Sequence, residues 1–342
     1  LADILSARRT IAGVADGTPM VPSTYLSNRF ERDVLLTLES MQPIGAFKLR
    51  GAINAVASLP DDTKGVTCCS TGNHGRAVAY AARRRGIPSL SCMPDLAPEI
   101  NRAGIRTLGA ELRIGGTSQD DAMHEAERLS REEGFTNISP FDDPLVIAGQ
   151  GTIGLEMLEA RPDIGTILIP LSGGGLAAGV ACAARAIKPN IRLIGLSMDR
   201  GAAMAASVAA GQPVEVEEVA SLADSLGGGI GLDNTLTFPM CRDLLDDIVL
   251  VTEIEIRDAM QALYFEDQLL AEGACVVGIA ALLAGRISPP PGPVATIITG
   301  RNVDMEIFTR IMAGLDVTLG DLHLEGKSTR LNSSHRCISY AV

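Results

Sequence analysis

The sequence predicts an α/β protein built on parallel sheets, and three observations support this prediction. Short apolar runs recur along the chain and alternate with alanine-rich stretches of helical length. Nearly continuous apolar runs are typical of buried parallel strands, and their alternation with helices indicates parallel sheets. Glycine-bearing turns also follow several predicted strands, at the sheet edge where such folds bind ligands. Aromatic residues make up only 3% of the chain, so the core has to be aliphatic.

The individual elements follow from these patterns. Gly86 is predicted to end one helix, and Thr252 with Glu255 forms a capping box that begins another. The predicted strands are Val66–Cys69, Leu90–Met93, Ile167–Leu171, Leu193–Ser197, Val249–Val251 and Ala295–Thr299. The predicted helices are Arg76–Arg85, Leu176–Ile187 and a segment from Thr252 to about Leu270.

Composition excludes several classes of function. The net charge of −12 opposes binding to nucleic acid, whose phosphates carry the same sign. No apolar run reaches membrane-spanning length, so we expect no membrane partner. The seven cysteines form no CxxC pair and there are only four histidines, so we expect no zinc site. Free thiols of this kind are typical of a reducing, cytoplasmic location.

The segment Ser172–Leu176 (SGGGL) follows a predicted strand and opens a predicted helix. Backbone N–H groups of successive glycines, together with the positive end of a helix, can bind a phosphate. A tight structural turn is an equally good interpretation. The spacing of Gly173, Gly175 and Ala178 also allows a dinucleotide fingerprint with Asp199 as the ribose partner, so a nicotinamide enzyme remains open at this point.

Two further turns carry reactive or polar side chains. Ser70–Gly75 (STGNHG) offers hydroxyl, carboxamide and imidazole groups that could bind a carboxylate, although turn and capping roles are commoner for such residues. Lys48 lies between Phe47 and Leu49. A lysine is usually a solvated charge, but a partly desolvated lysine loses its proton more easily and becomes a nucleophile toward a carbonyl group.

Together with a fourth turn, these segments make the chain resemble the threonine dehydratase and serine racemase family of pyridoxal-phosphate enzymes. The matches occur in the family's order, extend over about Thr18 to Met312, and favour this family over a nicotinamide enzyme. The segments that resemble the cofactor-lysine, substrate-carboxylate, phosphate and cofactor-nitrogen motifs are SMQPIGAFKLRGA, STGNHGRAVA, SGGGLAAG and ITGRNVD, respectively.

The resemblance implies a role for each matched residue. Lys48 would carry pyridoxal 5'-phosphate and act in catalysis, Asn73 would donate to its phenolic oxygen, and Thr299 would face its pyridine nitrogen. Thr71 is a second catalytic candidate because it stands where the family's racemases have a serine. Glu272 falls where the family often places an acid near the cofactor ring. The phosphate would be held by Ser172, Gly173, Gly174, Gly175 and Leu176, and the substrate carboxylate by Ser70, Thr71, Gly72 and His74.

The fold implied by the resemblance is the two-domain, tryptophan-synthase-β-like fold of type II, with the cofactor in the cleft between domains. We expect a large domain from residues 1–42 and 150–326, and a small domain, Pro43–Gly149, inserted in it. Lys327–Val342 is basic and serine-rich and looks like a non-native appendage. A homodimer is expected from the family and from base rates of assembly.

The implied activity is a dehydratase and ammonia-lyase reaction, by α,β-elimination, on a small hydroxy-amino acid of the threonine or serine type. Three segments, SMDRGAAM, ADSLGGGIGLDN and TGRNVDM, resemble the hydroxyectoine-utilisation dehydratase branch and suggest a hydroxyectoine-derived substrate. The alternatives are an amino-acid racemase and a non-catalytic relative that only binds the cofactor. Ser197 stands where metal-activated members have a glutamate, so no divalent-metal site is expected there.

Overall fold

The structure, a computed structural model, describes residues 1–15, 17–70, 72–95, 99–116, 119–288 and 292–326. The helices are α1 (Ala2–Ile11), α2 (Thr24–Phe30), α3 (Lys48–Ala57), α4 (Asn73–Arg85), α5 (Glu99–Thr107), α6 (Gln119–Arg128), α7 (Pro144–Ala160), α8 (Gly175–Ile187), α9 (Ala203–Ala210), α10 (Thr237–Leu244), α11 (Glu253–Asp267), α12 (Val277–Leu283) and α13 (Met305–Met312). The strands are β1 (Met20–Pro22), β2 (Val34–Thr37), β3 (Val66–Cys69), β4 (Ser89–Met93), β5 (Glu111–Ile114), β6 (Thr136–Asn137), β7 (Thr166–Pro170), β8 (Arg192–Met198), β9 (Asp247–Val251), β10 (Val294–Ile297), β11 (Val317–Leu319) and β12 (Leu322–Leu324).

Two open sheets, parallel except at one edge, form the framework. The larger has the strand order β1-β2-β10-β7-β8-β9, and only β1 and β2 pair antiparallel. The smaller has the order β5-β4-β3-β6 and is parallel throughout. Strands β2, β7 and β10 are buried along their whole length, as expected for parallel strands covered on both faces. The predicted α/β class with open, parallel-rich sheets flanked by helices is confirmed.

The smaller sheet comes entirely from residues 66–137, which lie between β2 and β7 in the chain. This placement agrees with an inserted unit. The expected boundary at Gly149 falls inside α7, however, so one continuous helix would belong to both units. The division into domains therefore stays a prediction.

Helix α7 packs between α3 and α8, and glycines make the close approach possible. A Cβ atom at Gly149 would lie 2.6 Å from the Cα of Gly51 in α3, and one at Gly179 in α8 would lie 2.6 Å from the nitrogen of Gly151. Asp143 caps the helix by accepting hydrogen bonds from the backbone of its first turn. Because α3 begins at Lys48 and α8 follows the glycine-rich turn, α7 fixes the relative position of two motifs.

All six predicted strands are present, and Val66–Cys69 has the predicted bounds. The last one ends at Ile297 rather than Thr299, because Thr299 bonds through its carbonyl to Phe47 instead of continuing the sheet. The capping box of Thr252 is formed as predicted. That helix ends at Asp267, before the predicted limit, because Gln268 adopts a left-handed conformation with φ of 57°. Strand β2, which lies between β1 and β10 in the larger sheet, was not predicted.

Two general expectations can be compared with the described part of the chain. None of its helices has the length and apolar character needed to cross a bilayer. Six of its cysteines are free thiols. Thr71, Cys337 and the segment Lys327–Val342 lie outside the described residues.

Candidate active site

Lys48 is the first residue of α3 and lies in a largely buried setting. Its Nζ donates a hydrogen bond to the carbonyl of Pro140 at 2.6 Å. Burial lowers the pKa of its amine from 10.5 to about 8. The preceding residue, Phe47, donates its backbone N–H to the carbonyl of Thr299 at 2.9 Å. An antiparallel bridge between Ala46 and Gly300 adds to this contact, so the lysine turn and the ITGRNVD turn are joined directly.

The glycine-rich turn lies at the carboxyl end of β7 and opens α8. Gly174 occupies the position before the helix with φ of +90°, a conformation that favours glycine, and no side chain caps the helix. The first N–H groups of a helix have no partners within the helix, and its N-terminus carries positive potential. This end of α8 is therefore suited to bind an anion.

The space around the turn excludes side chains at three consecutive positions. A Cβ atom at Gly173 would lie 2.2 Å from a ring carbon of Phe141, and one at Gly175 would lie 2.9 Å from the Cα of the same residue. A Cβ atom at Gly174 would lie 2.8 Å from Met204. Only backbone can line this cradle, and a backbone cradle at a helix N-terminus fits the phosphate of the expected cofactor.

The segment Ser139–Asp143, here called the bridging loop, was not recognised from the sequence. Its Pro140 accepts the hydrogen bond from Lys48, and its Phe141 packs against the glycine-rich turn. The carboxylate of Asp142 accepts hydrogen bonds from three backbone N–H groups at the start of α10, those of Thr235, Leu236 and Thr237, at 2.7–3.1 Å. The proline and aspartates of this loop indicate a turn, but its partners lie about 30 to 95 positions away and leave no local signal.

Asn73 begins α4, and its amide has a fixed orientation. Its Nδ2 reaches the two carboxylate oxygens of Glu272 at 2.9 and 3.2 Å, and its Oδ1 accepts from Asn302 at 2.6 Å. The two oxygens of one carboxylate subtend too narrow an angle to receive both N–H groups linearly. One N–H of Asn73 therefore remains available to another acceptor, such as the phenolic oxygen named by the resemblance.

Glu272 is a buried acid in this network, only 3% exposed. Burial, and secondly the charge of Asp224, raises the pKa of its carboxyl to about 7. Its Oε1 also accepts from the hydroxyl of Ser225 at 3.3 Å. A Cβ atom at Gly300 would lie 2.8 Å from the carboxylate, which explains the glycine in the ITGRNVD turn. The acid that the resemblance suggested thus lies beside Asn73 and the ITGRNVD turn.

His74 and Ser70 have local roles within the STGNHG turn. His74 is buried, and its Nε2 lies 2.8 Å from the carbonyl of Ile138, so this nitrogen must carry the proton. Burial, and secondly the charge of Lys48, lowers its pKa to about 3, so the ring is neutral. It offers no positive charge to a substrate carboxylate. The hydroxyl of Ser70 accepts from the N–H of Gly72 at 3.2 Å and shapes the turn.

Thr299 is buried, and its hydroxyl lies 3.1 Å from the thiol of Cys275. The predicted site residues Lys48, Asn73 and Thr299 and the glycine-rich turn come from distant parts of the chain, and the contacts described above bring them together.

Within the described ranges, no group of three or more potential ligands could hold a metal ion. Ser197 is buried in β8.

Comparison with known proteins agrees with this geometry. The model of the pyridoxal-phosphate dependent enzyme family matches residues 11–300. A putative threonine dehydratase from Sinorhizobium fredii is 51% identical over 317 residues, which cover 92% of this chain and 96% of that protein. The catabolic L-threonine dehydratase TdcB of Escherichia coli is 38% identical over 318 residues, covering 92% and 96% of the two chains.

Solved structures give the same result. Maize serine racemase superposes with a TM-score of 0.86 at 34% identity, covering 91% of this chain and 96% of that chain. The processed form of threonine deaminase isoform 2 from Solanum lycopersicum superposes with a TM-score of 0.84 at 34% identity, covering 92% of each chain. The family match covers most of the chain, and the phosphate cradle and the partly buried Lys48 fit its cofactor. The chain therefore belongs to the family of pyridoxal-phosphate-dependent enzymes, and pyridoxal 5'-phosphate is its cofactor.

Proposed function

We propose that this enzyme is a lyase that removes water and ammonia from a small β-hydroxy-amino acid. The observation that carries the proposal is the partly buried amine of Lys48, whose pKa is lowered to about 8, in a site that also has the phosphate cradle. At pH 7 about a tenth of such amines are neutral, compared with well under a thousandth for a solvated lysine. A neutral amine can attack a carbonyl group and can accept a proton.

Different residues of the chain would hold different parts of the cofactor. Lys48 would form its covalent link, and the remaining N–H of Asn73 would donate to the phenolic oxygen. Thr299 would meet the pyridine nitrogen with its hydroxyl. The backbone of Ser172 to Leu176 would bind the phosphate. When bound, pyridoxal phosphate supplies an electron sink that stabilises negative charge at the carbon bearing the substrate's amino group.

Lys48 would also move the proton that starts the reaction. With the cofactor bound to the substrate amine, the neutral Nζ of Lys48 would take the proton from the substrate α carbon. The β-hydroxyl would leave with one proton as water, which balances the proton gained by Lys48. The unsaturated product would then take up one water and give a keto acid and ammonia. The bridging loop contacts both Lys48 and the glycine-rich turn, so it is placed to limit the entry of water.

Thr299 favours elimination over transamination. A carboxylate facing the pyridine nitrogen would hold it protonated, and the cationic ring would store the negative charge longer. A neutral hydroxyl has too little acidity to do this. With a hydroxyl at this position, we expect loss of the β-hydroxyl to be favoured over return of a proton to the wrong atom, which is the transamination side reaction.

The substrate is proposed from the relatives and from the motifs. Relatives at 51% and 38% identity carry the name threonine dehydratase, which supports L-threonine or L-serine. The motifs SMDRGAAM, ADSLGGGIGLDN and TGRNVDM support a hydroxyectoine-derived compound. A screen for keto-acid release with L-threonine, L-serine, 3-hydroxyaspartate and hydroxyectoine derivatives separates these substrates.

Racemisation is the second candidate, because maize serine racemase has a TM-score of 0.86 to this chain and because Thr71 stands where racemases have a serine. Chiral analysis beside the keto-acid assay distinguishes the two activities. Inverted amino acid in excess of keto acid would contradict the lyase proposal. Bound cofactor without turnover of any substrate would indicate the non-catalytic relative.

We further propose a division into two domains, an oligomeric state and a location for this enzyme. The larger sheet with residues 1–42 and 150–326 would form one domain and Pro43–Gly149 the other, with the cofactor between them. A homodimer and a cytoplasmic location complete the proposal. The six free thiols in the described residues support a reducing compartment, and size-exclusion chromatography with light scattering measures the oligomeric state.

The proposed role of Lys48 is tested by Lys48→Ala. We expect purified wild-type protein to be yellow and the variant to lose both the colour and keto-acid release. Lys188→Ala is the matched control, because its Nζ also donates to a backbone carbonyl, that of Ile164 at 2.7 Å. A variant at Lys48 that keeps colour and turnover would overturn the assignment.

A further inference from the structure

Cys275 is a fully buried residue that contacts both the side chain of Thr299 and the backbone of Gly300. It is the last residue of a short 3-10 turn, Gly273–Cys275, that precedes α12. Its Sγ lies 3.1 Å from the Thr299 hydroxyl oxygen and 2.9 Å from the Gly300 carbonyl oxygen. The N–H of Gly300 donates to the same sulfur at 2.8 Å.

The hydrogen atoms of this cluster can be counted. Burial raises the pKa of the Cys275 thiol well above its usual value, so the sulfur keeps its proton. The thiol therefore has one hydrogen to donate, and the Gly300 carbonyl oxygen at 2.9 Å receives it. The sulfur is a weak acceptor and already receives the N–H of Gly300. A hydrogen bond from the Thr299 hydroxyl to this sulfur would therefore be weak, and the hydroxyl proton is better donated to a stronger acceptor.

The backbone of Thr299 is held separately from its side chain. The carbonyl of Thr299 accepts the N–H of Phe47, the residue before Lys48, at 2.9 Å. What remains free is the χ1 rotation of a β-branched side chain, which has a few staggered positions. A contact at the hydroxyl oxygen selects one of these positions.

We propose that Cys275 is a positioning residue for Thr299: its Sγ, 3.1 Å from the Thr299 hydroxyl oxygen, fixes the rotamer in which the hydroxyl proton is directed at the pyridine nitrogen. This inference rests on the proposed function, which places Thr299 at that nitrogen. Thr299 is then a donor and the nitrogen an acceptor, which keeps the ring neutral. If the Thr299 hydroxyl donated to the sulfur instead, it would present only a lone pair to the pyridine nitrogen. A lone pair can accept a hydrogen bond only from a protonated nitrogen.

The test uses the holoenzyme with Cys275→Ala and Cys275→Ser. The readouts are the absorption spectrum of the bound cofactor between about pH 6 and 9 and the cofactor dissociation constant from equilibrium dialysis. We expect a pH-independent spectrum for wild type. Cys275→Ala should gain a pH-dependent band and bind the cofactor about two- to tenfold more weakly, the effect of one neutral hydrogen bond. Cys275→Ser should restore both properties, because its hydroxyl can take the place of the thiol in the contacts with Thr299 and Gly300.

Cys68→Ala is the matched control. Its thiol is also fully buried and lies 3.5 Å from a hydroxyl, that of Ser91, but in the smaller sheet. This variant should lower the melting temperature without changing the cofactor spectrum. A change in melting temperature alone for Cys275→Ala would show a packing role and would overturn the proposal.

A double-mutant cycle with Thr299→Val separates this inference from the proposed function. If Cys275 acts through Thr299, Cys275→Ala should add no spectral change in the Thr299→Val background. If Thr299→Val itself leaves spectrum and affinity unchanged, the role of Thr299 in the proposed function is wrong. If Thr299→Val alters both while Cys275→Ala behaves as wild type, the role of Thr299 stands and the positioning role of Cys275 is refuted.

Discussion

Replacing Glu272 with glutamine should change how the stability of the cofactor-free enzyme depends on pH. The folded protein holds the pKa of this buried carboxyl at about 7, compared with 4.5 for an ordinary glutamate, chiefly because burial disfavours the charged form. Below about pH 4.5 the group is protonated in both the folded and unfolded chains and has no effect on stability. Between about pH 4.5 and 7 the unfolded chain releases the proton while the folded chain keeps it, so stability falls as the pH rises.

The size of the effect follows from this pKa difference. A change from 4.5 to about 7 corresponds to about 3 kcal/mol, at roughly 1.4 kcal/mol for each pH unit. Glutamine keeps one oxygen to accept from Asn73 but loses the second, which offsets the gain by about 1 kcal/mol. We therefore expect Glu272→Gln to be about 2 kcal/mol more stable than wild type at pH 8, and slightly less stable than wild type at about pH 4.5.

Urea unfolding of the cofactor-free enzyme, followed by circular dichroism across this pH range, measures the difference. Glu127→Gln is the control, because it makes the same chemical change on the exposed surface of α6 and should leave the pH dependence unchanged. A Glu272→Gln curve that runs parallel to wild type from about pH 4.5 to 8 would refute the reasoning, since the carboxyl would then titrate alike in both states.

Three further predictions concern other contacts. In α3, the buried Arg50 pairs with the buried Glu39 at 2.7 Å. Arg50→Met should lower the free energy of unfolding by about 3–5 kcal/mol, because it leaves the Glu39 charge with only the neutral donors Thr18 and Gln42; a loss below about 1 kcal/mol in urea unfolding would contradict this. Asp142→Ala should lower the free energy of unfolding by about 1 kcal/mol through the lost cap of α10, and it should weaken cofactor binding measured by dialysis. Unchanged affinity would show that the bridging loop does not contribute to the cofactor site. Thr299→Asp should slow keto-acid release and produce measurable transamination; native rate and spectrum would refute the role of its hydroxyl.

Much of the framework could be predicted from local sequence. The apolar run Val66–Cys69 has a strand's length and no helical period, and the structure has a strand with these bounds. The Thr252 capping box involves residues three positions apart, so its hydrogen bonds could be inferred from the sequence. Strand β2 was not predicted, although the residues Val34–Thr37 are wholly buried, because a short run without glycine or proline at its ends has no distinct local signal.

The candidate site divides in the same way. The sequence by itself determined that Lys48 and the glycine-rich turn are the candidates for the chemistry, because four motifs in order resemble those of one family. Residue type and local spacing alone left a solvated lysine and a structural turn open. Only the tertiary structure decided that Lys48 donates to Pro140, that Glu272 titrates near pH 7 and that Cys275 contacts Thr299. A pKa or a hydrogen-bond partner depends on the local dielectric and on which groups lie nearby. Those neighbours come from positions tens to hundreds of residues away, and only the folded chain brings them together.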